Sequence, residues 1–180
     1  MSGEVGALVP GRECGACAMC CKVYPIDWLD KPKPAGKWCH HCVPGTGCRI
    51  WQDIPKQCGD YYCHWRRNAQ LGDAWRPDRA GFLINQNAPH MPYEVIVDTG
   101  KPDAWRKEPY YTQLKRAALV AIGEKKAVLL IIGMRQWVML PDEEVPIPPD
   151  KIDGDLRIYQ EPAHTGGKWR VEFLGKPQPA

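Results

Sequence analysis

Apolar and polar positions along the second two thirds of the chain follow patterns that predict strands and one helix. Short runs of β-branched and aromatic residues at 81–85 (GFLIN) and 93–98 (YEVIVD) predict two strands. The segment YYTQLKRAALVAIG predicts a helix that begins near Pro109 and stops at Gly123. Its predicted apolar face consists of Tyr110, Leu114, Ala117, Ala118, Ala121 and Ile122.

Four more apolar runs follow the predicted helix. AVLLII and QWVML predict a hairpin that turns at Gly133, and LRIY and WRVEFL predict two further strands. The Pro-rich stretch PDEEVPIPPD between them predicts a loop. Together these elements predict a small α+β scaffold with a mainly antiparallel sheet and one main helix.

The first third of the chain has a different pattern. Pro and Gly recur every few residues in KPKPAGK, VPGTG and DIPKQCG, which breaks both helical and strand periodicity. Such a segment has little apolar surface to bury, and metal–ligand bonds commonly replace a core in modules of this kind. We therefore predict an N-terminal tail at 1–13, a loop-rich cysteine metal-binding module at 14–65, and the α+β scaffold at 66–180, with the module packed on the sheet.

The net charge and the hydropathy of the chain do not indicate a nucleic-acid or membrane partner. The chain has 24 basic and 21 acidic side chains, a net charge of +3, which is less than a dedicated nucleic-acid binder carries. The longest apolar run, AVLLIIGM, is far shorter than the ~20 residues that span a bilayer. The N-terminus has no apolar segment of signal-peptide length. We expect a cytoplasmic protein with no membrane partner.

The cysteines are the candidate functional residues of this chain. All nine lie between Cys14 and Cys63. Cytoplasmic reductants keep most thiols reduced, and an odd number leaves one thiol over in any disulfide scheme, so we favour metal binding over disulfides. A single catalytic thiol does not explain eight others nearby. We identify no catalytic constellation and do not expect an enzyme on its own.

The spacing of the cysteines is compatible with metal binding but does not distinguish zinc from iron. A gap of two residues lets a turn bring two thiolates to one metal, and it occurs in Cys14-x2-Cys17-x2-Cys20 and in Cys39-x2-Cys42. Cys14, Cys17 and Cys20 have the spacing of the first three cysteine ligands in the four-iron motif of bacterial ferredoxins. This chain lacks the fourth cysteine of that motif, which is followed by proline. Zinc and iron both remain open. Completion of a Cys3His site by His40, His41 or His64 is a less favoured alternative to solvated imidazoles.

The order CGACAMCC, WCHHC, GCRIW and QCGDYYCHW resembles the cysteine-cluster family named for its CxxCxxCC motif, described as a zinc- or iron-chelating domain. The resemblance covers about residues 14 to 65. It departs from the family pattern at Trp51, where a Tyr is typical, and at Ile54-Pro55, where Arg-Pro is typical. The resemblance implies that eight cysteines are ligands: Cys14, Cys17, Cys20, Cys21, Cys39, Cys48, Cys58 and Cys63. Spacing adds Cys42 as a candidate.

A similar cluster occurs in flagellin lysine methylases, where it is thought to hold iron and sulfur. The chain has no Gly-rich nucleotide loop that indicates a cosubstrate site. The resemblance thus leaves open an iron–sulfur protein that supports a redox or methyl-transfer enzyme.

The adjacent pair Cys20 and Cys21 predicts two sites. Neighbouring side chains point to different sides of the backbone, so both seldom bind one tetrahedral ion. We expect them to serve different metal ions, or different irons of one cluster. Our hypothesis places Cys14, Cys17 and one of the pair in the first site. Mononuclear ions are favoured because the family is described in that way.

Three classes of function follow in order of preference. The first is a zinc- or iron-binding protein with a structural, storage, sensing or metal-handling role. The second is an iron–sulfur protein in electron transfer or supporting a redox or methyl-transfer enzyme. The third is a zinc-ribbon-like adaptor for protein or nucleic acid. Nucleic acid is the least favoured partner, because Arg66, Arg67, Arg76 and Arg79 are interpreted as a solvated face, and the sequence identifies no protein partner.

Overall fold

The computed structural model describes residues 7–175, so the first six residues of the predicted tail and the last five of the predicted scaffold lie outside it. The cysteine-rich part contains only short elements, in keeping with its Pro and Gly content. They are α1 (Met19–Val23), β1 (Cys42–Val43), β2 (Gly47–Cys48), α2 (Lys56–Gly59) and α3 (His64–Arg67), with a 3-10 turn at Trp51–Asp53. A 3-10 turn at Asp73–Trp75 and α4 (Pro77–Ala80) connect this part to the sheet.

A five-stranded sheet forms the centre of the fold. Its members are β3 (Phe82–Asn85), β4 (Tyr93–Val97), β5 (Val128–Ile132), β6 (Arg135–Met139) and β7 (Glu144–Pro146), and they neighbour one another in that order. All neighbours are antiparallel except β4 and β5. Parallel neighbours need a crossover connection, which α5 (Tyr110–Gly123) supplies after a 3-10 turn at Ala104–Arg106. The α+β class, the mainly antiparallel sheet and the single main helix are confirmed.

A separate two-stranded ribbon completes the chain. It pairs β8 (Asp155–Gln160) with β9 (Trp169–Gly175), and 3-10 turns lie at Pro149–Lys151 and Ala163–Thr165. None of the described residues of the two strands is fully buried. The predicted strands LRIY and WRVEFL are confirmed, and so is the hairpin at Gly133, where β5 turns into β6 with a φ of 63°.

Two details of the prediction are wrong. The Pro-rich stretch predicted as a loop contains β7, because Val145 pairs with Val138 and extends the sheet by one short edge strand. Its last residue is Pro146, which an edge strand tolerates. Ala117, predicted on the apolar face of α5, is exposed, whereas Leu114, Ala118 and Ala121 are buried.

Both faces of the sheet are covered. Phe82, Val95 and Val97 face a core that includes Trp105 of the 3-10 turn and Leu114 of α5. Since side chains alternate along a strand, their neighbours point to the opposite face.

On that opposite face, Leu83 and Ile96 pack against Met19 and Val23 of α1. The cysteine module therefore lies on the sheet. Trp65 lies at the predicted end of the module. It is buried on the other face of the sheet, in the core that includes α5.

An ion pair between a partly buried lysine and a buried aspartate also joins the two parts. Lys22 Nζ, in α1, lies 2.7 Å from both carboxylate oxygens of Asp98, directly after β4. Asp98 is 4% exposed and also accepts a hydrogen bond of 2.8 Å from the backbone N–H of Gly100. Removing one partner of such a pair leaves an uncompensated buried charge.

We expect Lys22→Met to lower the free energy of unfolding of the metal-loaded chain by about 3 kcal/mol, because the Asp98 carboxylate stays buried without its cation. Urea unfolding measures the loss. Lys56→Met is the matched control, since its pair with Asp60 is solvent-exposed and should change little. Equal losses in the two variants would contradict a structural role for the pair between Lys22 and Asp98.

Within residues 7–175, no helix has the length and the apolar character that crossing a bilayer requires.

Candidate metal centre

Four cysteines form a group that we call the first thiol set: Cys14, Cys17, Cys20 and Cys63. A turn in which the Cys17 N–H donates to the Cys14 carbonyl at 2.8 Å holds the first two. Cys20 lies in α1, and Cys63 directly precedes α3. Cys17, Cys20 and Cys63 pack against the α1 residues that cover the sheet.

The thiol pKa values support this grouping. The pKa of Cys63 is raised, first by burial and then by negative charge on Cys17 and Cys14. The sheet and α1 thus bring together thiols that are far apart in sequence.

The other five cysteines form the second thiol set: Cys21, Cys39, Cys42, Cys48 and Cys58. The Cys39 N–H donates to the Cys21 carbonyl at 2.9 Å, and the Cys42 N–H donates to the Cys39 carbonyl at 2.9 Å. Cys42 and Cys48 are paired across β1 and β2. Burial is the main cause of the raised pKa of Cys58, followed among the thiols by the charges of Cys21, Cys39 and Cys48.

Cys20 and Cys21 are divided between the two sets. Cys20 donates a hydrogen bond to Cys21, which is the largest cause raising the pKa of Cys20 well above that of a free thiol. The same bond lowers the pKa of Cys21 to about 7. The two thiols thus contact each other, while negative charge on Cys14 and Cys17 also raises the pKa of Cys20. We therefore place Cys20 with Cys14 and Cys17, and the expectation that the adjacent cysteines serve different sites stays a prediction.

Most of the thiols are poor acids in this fold. Burial, followed by the charge of Cys21, raises the pKa of Cys42 to about 12, and burial also raises the pKa values of Cys17 and Cys48. Burial therefore favours the protonated form of these thiols. Metal ligation requires thiolates, so a metal that binds here must displace protons.

Basic side chains border the first thiol set. Arg66 Nη1 donates a hydrogen bond of 3.3 Å to Cys14 Sγ, and Arg76 Nη2 donates one of 3.3 Å to the Cys14 carbonyl. The interpretation of these two arginines as a solvated face is therefore wrong, because both turn towards the cysteines. Guanidinium groups offset the negative charge that a thiolate-bound metal concentrates at one place.

One buried lysine borders the second thiol set. Lys33 is 9% exposed, and its Nζ donates to the carbonyl of Lys22 at 2.9 Å and to that of Tyr24. Burial lowers the pKa of Lys33, and negative charge on Cys21 and Cys39 counteracts the shift. In the sequence, only the position of Lys33 between Pro32 and Pro34 sets it apart from other lysines.

The sulfur atoms are free, and Cys21 contacts both Cys20 and Cys42. All nine cysteines lie within the described residues 7–175, and none of them forms a disulfide. Across the same part of the chain, no three of these sulfurs lie within 4.8 Å of one another. With zinc–sulfur bonds of about 2.3 Å, the thiolates of one tetrahedral ion lie about 3.8 Å apart. No three of the described sulfurs are therefore as close together as the ligands of a single zinc ion.

The histidines named from the sequence lie elsewhere. His64 exchanges a 3.0 Å hydrogen bond with the side-chain amide of Asn68, and burial followed by the charge of Arg67 lowers its pKa. His40 and His41 lie beside Asp30. In the part of the chain that the structure describes, none of them forms a tight group with thiols.

No family model, curated protein or solved structure matches this chain. The resemblance to the CxxCxxCC family therefore rests on the order of the cysteines alone.

Proposed function

We propose that this chain is an electron-transfer protein that binds two iron–sulfur clusters, one on each thiol set. The observation that carries the proposal is the sulfur spacing. A four-iron cluster is several ångströms across and each thiolate binds a different iron, so its ligands are spread more widely than those of one ion. This favours clusters over the mononuclear ions that the family resemblance implies.

The ligand supply fits each cluster. Cys14, Cys17 and Cys20 provide the three-thiolate corner of a ferredoxin-type site, and Cys63 provides a fourth ligand from a distant part of the chain. The second thiol set has five sulfurs for four positions, which leaves one over. Arg66 and Lys33 supply positive charge, one at each set.

The arrangement favours electron transfer. Cys20 and Cys21 belong to different sets, and consecutive Cα atoms are about 3.8 Å apart, so clusters bound to the two thiols are close neighbours. A bound cluster supplies a one-electron couple whose potential is set by charge, hydrogen bonds and solvent exposure.

We expect protein purified without oxygen to contain about eight irons and about eight inorganic sulfides per chain, as two four-iron clusters require. Metal analysis, sulfide determination and electron paramagnetic resonance of the reduced protein test this. Visible absorption should bleach on reduction with dithionite. Protein with about two zinc ions per chain, no sulfide and no colour would overturn the proposal, since zinc is d10 and colourless.

A further inference from the structure

Two loops of the cysteine module bring Asp30, His40 and His41 together. The loop that carries Asp30 is closed at its base by Ile26 and Lys33, which exchange backbone hydrogen bonds of 2.9 and 2.8 Å. The two histidines fill the turn between Cys39 and Cys42.

Both imidazoles converge on one carboxylate oxygen. His40 Nε2 lies 3.2 Å and His41 Nε2 lies 3.7 Å from Asp30 Oδ1. The ring centroids of the two histidines are 3.8 Å apart. One nitrogen of each ring and the carboxylate oxygen all lie within 4.8 Å of one another, and within residues 7–175 this is the one group of three such ligand atoms that meets the limit.

These separations suit a bound cation. With metal–nitrogen and metal–oxygen bonds of about 2.0 to 2.2 Å, the ligand atoms of a tetrahedral ion lie roughly 3.4 Å apart. A simple ion pair needs only one imidazole beside the carboxylate.

We propose that Asp30, His40 and His41 form a separate site for a divalent first-row transition ion, with at least one coordination position open to solvent. Two imidazoles and one carboxylate select ions such as zinc, iron(II), cobalt or nickel over magnesium and calcium. The side chains of His40, His41 and Asp30 are 31%, 26% and 67% exposed, so the ion can enter and exchange. The three residues belong to neither thiol set.

Titration of the full chain with Co²⁺, after its thiols have been loaded with their own metal, tests the site. We expect one additional equivalent of Co²⁺, without the intense charge-transfer absorption of cobalt bound to sulfur. His40→Ala and Asp30→Asn should each weaken this binding at least tenfold. His90→Ala and Asp27→Asn are matched controls and should bind as the unmodified chain does.

His40 lies in the turn between Cys39 and Cys42, so its substitution can also disturb the thiols. Asp30 lies in the separate loop between Ile26 and Lys33, and Asp30→Asn therefore tests the site without changing that turn. Its thiol-bound metal content and absorption spectrum should equal those of the unmodified chain, while the additional Co²⁺ is lost. Three results would each overturn the proposal: no additional equivalent, undiminished binding by Asp30→Asn and His40→Ala, or cobalt–sulfur absorption from the added ion.

Discussion

Cys20→Ser and Cys21→Ser should each remove one cluster and leave the other in place. The two residues are neighbours in α1, yet their side chains belong to different thiol sets. The first set has four sulfurs and none to spare, so loss of Cys20 leaves its cluster with three thiolates. In the second set, negative charge on Cys21 raises the pKa values of Cys42 and Cys58. The family resemblance includes Cys21, Cys39, Cys48 and Cys58 and leaves Cys42 as the sulfur over, so under the proposed function loss of Cys21 leaves the second cluster with three thiolates.

Iron and sulfide per chain measure the outcome. Each single variant should retain about half of the iron and half of the sulfide, and the double variant should retain neither. The two single variants should differ in their electron paramagnetic resonance spectra, because a different cluster survives in each. Loss of all iron and sulfide from either single variant would show that one cluster spans both sets, and the division into two centres would be wrong.

Removal of the metal should unfold residues 14–63 and destabilise one face of the sheet. The module has little core apart from its thiols: one of its buried clusters consists of Ala18, Ile26, Cys39 and Cys42. The binding free energy of the metal is then folding free energy. When α1 detaches, Leu83 and Ile96 become exposed on the sheet. At ~1.5–3 kcal/mol for each buried aliphatic side chain, we expect the sheet to lose about 5 kcal/mol.

Hydrogen exchange before and after chelation under reducing conditions measures both effects. Protection of amides in 14–63 should disappear, and protection in β3 and β4 should fall. The opposite face provides an internal control, because Leu114 and Ala118 of α5 pack in a core to which α1 does not contribute. Unchanged protection of 14–63 in metal-free protein would contradict the prediction.

Much of the scaffold was predictable because its elements carry local periodicity. β3 and β4 are short apolar runs because both of their faces are covered, and α5 buries one face; both patterns are visible in a single sequence. β7 was missed because it is three residues long and ends at Pro146, and its pairing depends on Val138 of another strand. The parallel pairing of β4 and β5 is likewise a tertiary feature that neither strand encodes locally.

The candidate site was predictable to a smaller extent. The nine candidate ligands follow from residue type, whereas the division between Cys20 and Cys21 is an expectation from chain geometry that stays a prediction. The membership of Cys63 in the first set does not follow from the sequence, because it requires α1 and α3 to meet beside β3. Lys33 and Asp30 were missed for the same reason: a single lysine or aspartate in a polar loop acquires a role only through residues that approach it from elsewhere.

The unequal distribution of cations around the two thiol sets has a consequence for the direction of electron flow. Arg66 donates directly to a sulfur of the first set, and Arg76 lies beside the same cysteine, whereas Lys33 directs its hydrogen bonds to backbone carbonyls. Positive charge and N–H···S hydrogen bonds stabilise the reduced form of a cluster and raise its reduction potential. Under the proposed function, the cluster on the first set therefore has the higher reduction potential. An electron that enters at the second cluster is transferred to the first cluster, next to Arg66.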